Sequence, residues 1–65
     1  MTPEELAQVH KIAQAFHETY ERLAPEYGWV TQKESAMSWE DIPVENKLLM
    51  INVVAKLFND GIIKV

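Results

Sequence analysis

A chain of 65 residues with 48% hydrophobic content and two each of Trp, Tyr and Phe is too apolar for intrinsic disorder and too short for more than one domain, which spans 1–65. Its six basic side chains are scattered and outnumbered by ten acidic ones, giving a net charge of −4, which argues against a phosphate-backbone footprint and so against a nucleic acid polymer as partner. The absence of cysteine excludes disulfides and fits a reducing compartment, while the acidic start Met1-Thr2-Pro3-Glu4-Glu5 and the lack of a long apolar run point to a soluble, cytoplasmic protein with no membrane association.

Thr2-Pro3-Glu4-Glu5 joins a capping hydroxyl, a proline at the first helical position and a glutamate three residues after the cap. A helix is predicted from there over about 3–24. Leu6, Val9, Ala13, Phe16, Tyr20 and Leu23 recur at spacings of three and four, with Ile12 widening the stripe. Gln8, Lys11, Gln14, Glu18, Glu21 and Arg22 fall opposite, and Glu18 and Arg22 stand in the favourable order for an i,i+4 pair. Pro25 disfavours helix at Ala24, so the helix ends near that point.

Between Pro25 and Ile42 the periodicity disappears. Tyr27-Gly28-Trp29 and the polar stretch Thr31-Gln32-Lys33-Glu34-Ser35 read as a long ordered connector, with Gly28 at positive φ so that both flanking rings turn inward. Ser38-Trp39-Glu40-Asp41 has the form of a helix start and predicts one helical turn near 39–41.

A second helix is expected over about 43–59, stopped by Asn59-Asp60-Gly61, with Ile62 making the apolar contact that accompanies such a stop. The fold class is therefore all-α, two antiparallel helices joined by the connector. At 100° per residue, Val44, Leu48, Ile51, Ala55 and Phe58 form one face of the second helix and Met50, Val54 and Leu57 the next. Leu49 and Val53 carry the apolar arc past half the circumference, leaving a polar strip of Glu45, Asn52, Lys56 and Asn59. A chain this size buries only about 60% of its unfolded surface, and at about 25 cal/mol per Å² two or three exposed aliphatic side chains forgo several kcal/mol. The expectation is a homo-oligomer whose interface comprises Leu49, Met50, Val53, Val54 and Leu57, with the tail Ile62-Ile63-Lys64-Val65 able to pair across it.

Sites for chemistry are sparse. His17-Glu18 opens the zinc-protease pattern H-E-x-x-H, but position 21 is Glu, so the two-imidazole face is missing and no metal is expected. No nucleophile–base set or glycine-rich phosphate loop is present, and Glu40-Asp41 reads as first-turn acids, so the chain is not read as an enzyme and needs no cofactor. His10 and His17 share the border of the apolar stripe and suit hydrogen-bonded edges of a core. Trp29 and Trp39 suit either anchors of the connector or, with Tyr20 and His17, walls of a pocket for a flat ligand such as a nucleobase. Lys47, in the first turn of the second helix, suits either a snorkelling side chain or an anion partner.

His17-Glu18-x-Tyr20-Glu21, Gly28-Trp29, Ser35, Trp39-x-x-Ile42-Pro43 and Asn46-Lys47-x-x-Met50 together resemble the layout of small proteins of bacteriophages and actinobacteria. The same order of features is more distantly similar to the ryanodine-receptor-type repeat domain, over Phe16 to about Gly61. The resemblance implies a phage or bacterial origin, a host-cytoplasmic location, and recognition of a protein or a nucleotide-like ligand through His17, Tyr20, Trp29, Trp39 and Lys47. The function read from the sequence is thus a non-enzymatic, homo-oligomeric binding module that engages a host protein. Its alternative is a binder that sequesters a phosphate-bearing, nucleotide-like molecule.

Overall fold

The computed structural model describes residues 1–29 and 37–64, which form two helices and short turns, with no strand among them. Helix α1 spans Pro3–Leu23, continues as a 3₁₀ turn over Ala24–Tyr27, and is followed after the connector by α2, Val44–Asn59. The polar stretch 31–35 and Val65 lie outside the described residues.

Helix α1 begins as its residues dictate. The Thr2 hydroxyl accepts from the Glu5 amide at 3.1 Å, and the Thr2 amide donates to the Glu5 carboxylate at 2.9 Å, closing the capping box around Pro3. At the other end Pro25 tightens the chain into the 3₁₀ turn. Gly28 closes that turn at φ +78° with its amide on the Pro25 carbonyl, and the Trp29 amide returns to the Ala24 carbonyl. The two rings beside Gly28 do not turn into the core: Tyr27 is 78% and Trp29 68% exposed. Both rings instead line an open side of α1 and the 3₁₀ turn.

Helix α2 starts at Pro43, whose carbonyl receives the Asn46 and Lys47 amides. It stops at a Schellman turn in which Gly61, at φ +77°, donates to the Phe58 carbonyl while Ile62 donates to Leu57. The apolar contact expected of Ile62 belongs to its neighbour. Ile62 is 72% exposed, and Ile63, one step further round the reversed chain, packs on the core.

The core is a single cluster of Val9, Ala13 and Val54, with Ile12, Trp39, Met50, Ile51, Ala55 and Ile63 partly buried against it. Val54 meets the first half of α1 whereas Met50, a turn earlier, lies beside Phe16 and His17, so the helices run antiparallel. The seam on α1 follows Val9, Ala13 and His17, a row of every fourth residue. Such a row is inclined to the helix axis, so α2 crosses the predicted stripe instead of lying along it. Leu6, Phe16, Tyr20 and Leu23, all assigned to the stripe, remain exposed.

On α2 the buried face centres on Val54, and Val44 and Leu48 stand outside it together with Leu49 and Val53. The pairing expected between Glu18 and Arg22 does not form. Among the described residues the ion pair is Lys56–Asp60 at 3.0 Å, and both partners are exposed, so it contributes little.

Candidate functional site

The sequence-derived candidates fall into three places. His17 and Trp39 belong to the core edge. The imidazole is buried, its Nε2 lies 2.6 Å from the Met37 carbonyl oxygen, and its ring centroid is 6.0 Å from that of Trp39 at a tilt of 58°. With the ring proton on Nε2 the histidine donates to Met37, which ties the chain before the 39–41 turn to the middle of α1.

Lys47 sits one turn into α2 and reaches back to donate to the Glu40 carbonyl at 3.1 Å. That carbonyl belongs to the predicted helical turn, which is present: the Asp41 and Ile42 amides donate to the Ser38 carbonyl, and the Ser38 hydroxyl donates to the Asp41 carboxylate at 3.0 Å. Lys47 thus fastens this turn to α2. Ile42, which sequence reasoning treated only as a boundary residue, follows it and is buried.

Tyr20 and Trp29 form the third place, an open groove of about 640 Å³ along the second half of α1 and the 3₁₀ turn. Ile12, Ala15, Phe16, Thr19, Leu23, Ala24 and Tyr27 complete its lining. The groove exists because α2 packs along the inclined row Val9, Ala13 and His17, which leaves the other side of the apolar stripe uncovered by α2. Phe16 and Tyr20, one turn apart, stack with centroids 6.2 Å apart and planes within 19°. A smaller hollow of about 190 Å³ between Phe16, His17, Tyr20, Glu21 and Met50 adjoins the same two rings.

Four of the six aromatic side chains therefore line one groove, and no charged residue is among its lining. Phe16, Leu23 and Tyr27 were not read as site residues. Their signal was present in the sequence as a stripe that keeps its three-and-four spacing beyond the point where α2 crosses.

The expected oligomer residues divide. Val54 is in the core, Met50 and Leu57 are half-buried, and Leu49 and Val53 are exposed at 66% and 45%. Among the described residues no three His, Cys, Asp or Glu side chains gather as metal ligands, and no described helix is long and apolar enough to cross a membrane. Compared with known proteins, the chain matches no family model, no curated protein and no solved structure.

Proposed function

We propose that this chain is a non-enzymatic recognition module whose working surface is the aromatic groove and whose target is another protein surface. The observation that carries the reading is the gathering of Phe16, Tyr20, Tyr27 and Trp29 around one uncharged groove, largely exposed to water. Protein interfaces concentrate aromatic side chains and deplete charge at their centres. A groove of about 640 Å³ is also within the range of small-molecule sites, but its lining offers few polar groups to orient a ligand. The resemblance to phage and actinobacterial proteins fits a small cytoplasmic adaptor of this kind, with a host protein among its targets.

The test is binding of an apolar fluorescent dye that brightens on leaving water. The reading expects uptake by the native chain and loss of uptake in Tyr20→Glu/Tyr27→Glu, with the helical circular dichroism unchanged. Absence of uptake by the native chain overturns it.

The rival reading, a nucleotide-like ligand held by the Trp rings and Lys47, draws less from the geometry. The Lys47 ammonium is engaged by the Glu40 carbonyl, and the groove that holds Trp29 has no cation in its lining. A thermal-shift panel of nucleotides separates the two, because a ligand that binds only the folded chain raises its melting temperature.

A further inference from the structure

We infer that the groove receives an arginine side chain of the partner protein, its guanidinium laid on the exposed rings of Phe16 and Tyr20 and directed at the carboxylate of Glu21. The inference rests on the groove being a protein-recognition surface and names the chemistry of what enters it.

Charge sets the sign of the occupant. Four aromatic rings and no charged residue line the groove, and the hollow beside it, which shares Phe16 and Tyr20, adds Glu21 and no Lys or Arg. Aromatic faces are the negative part of the ring quadrupole and attract a cation placed over them. Among the described residues the two adjoining hollows thus offer ring faces and one carboxylate, with no basic side chain in either lining to repel a cation. Glu21 is half-buried, so its charge is screened less than one on the open surface. The exposed charges of the same end of the chain, Glu18, Arg22 and Glu26, also favour a cation, by two carboxylates to one guanidinium.

Hydration then sets the kind of cation. A lysine ammonium is compact and strongly hydrated, and a lining with so few polar atoms does not replace the water it would lose. A guanidinium is planar and weakly hydrated, stacks on aromatic rings, and matches a carboxylate with its fork of N–H donors. Phe16 and Tyr20, with planes within 19° and centroids 6.2 Å apart, supply two nearly parallel rings for such stacking. Glu21 adjoins those same two rings, so one arginine side chain reaches both kinds of partner. Arginine is also among the residues that protein interfaces concentrate.

An NMR titration decides the matter, following the backbone amides of residues 16–21 as acetyl-arginine amide, its uncharged isostere acetyl-citrulline amide or acetyl-lysine amide is added. The native chain is expected to bind the arginine compound about two- to five-fold more tightly than the citrulline compound, the range of an exposed cation–π contact, and more tightly than the lysine compound. Phe16→Leu/Tyr20→Leu, which keeps apolar surface and removes the rings, should abolish the preference, and Glu21→Gln should reduce it. Phe16 and Tyr20 are exposed, so folding survives; should the pair disturb it, Tyr20→Leu alone makes the same test. Equal binding of arginine and citrulline by the native chain overturns the inference, as does lysine binding as tightly as arginine, or a preference that Glu21→Gln leaves unchanged. A preference that survives loss of both rings also overturns it, marking only attraction to a chain of net charge −4. A native chain that takes up the apolar dye but shows no arginine preference leaves the recognition surface standing with a different occupant. One that takes up neither removes both.

Discussion

The imidazole of His17 and the carbonyl of Met37, twenty residues apart in the chain, meet at 2.6 Å inside the protein's edge. This bond and the adjacent tilted packing on Trp39 fix where the chain re-enters the fold after the connector. His17→Ala removes the donor to the part-buried Met37 carbonyl and leaves a gap beside the indole, so it is expected to cost about 1–3 kcal/mol. His17→Gln, which keeps a donor, recovers part of that loss. Urea denaturation checks both, with Trp39 fluorescence read in a Trp29→Phe background.

The thinness of the core gives a second contrast. Val54→Ala removes two methyl groups from the cluster with Val9 and Ala13 and is expected to cost about 1–3 kcal/mol, whereas Leu49→Ala, two-thirds exposed, stays within about 0.5 kcal/mol. Equal losses at the two positions in chemical denaturation would contradict the burial described above.

At the start of α1, Thr2→Ala is expected to lower stability by about 1 kcal/mol through loss of the capping hydroxyl. The Thr2 backbone amide, with the Thr2 side chain adding to it, holds the Glu5 carboxyl below its ordinary value of 4.5. A carboxyl lowered by folding supports the folded state above its ordinary value, and that support is lost as pH falls through the lowered one. Melting temperature followed from pH 6 downward should therefore fall less steeply in Glu5→Gln than in the native chain.

Gly61 closes α2 at φ +77°, and a Cβ there would meet no atom within 4 Å. The cost of Gly61→Ala is thus conformational alone, about 1–2 kcal/mol, and Gly61→Asn should lose less because asparagine tolerates the left-handed region. A larger loss in the alanine variant would imply a steric contact that the geometry does not contain.

Local signals were the most legible part of the sequence. Thr2 to Glu5, Pro25, the Ser38 to Asp41 turn and Gly61 each act through hydrogen bonds or φ preferences that involve only near neighbours, and each element boundary lies within a residue of its expected place. Which part of an apolar stripe is covered depends instead on how two helices cross, a long-range property that helical spacing does not encode. For that reason Phe16 and Tyr20 were assigned to the buried stripe and stand in a groove, while His17 was a border residue and is buried. The same limit applied to Lys47, because its partner, the Glu40 carbonyl, is set by the path of the chain around Pro43.

Val9, Ala13 and Val54 are shared property: the first two come from one helix, the third from the other, and Ile63 from the segment beyond closes over them. Neither rod has a private interior to fall back on. Melting of either one strips the other of its shelter at the same moment, so the intact chain should lose its order in one concerted sigmoid, with amides beside Val9 and Val54 exchanging with solvent only when everything opens.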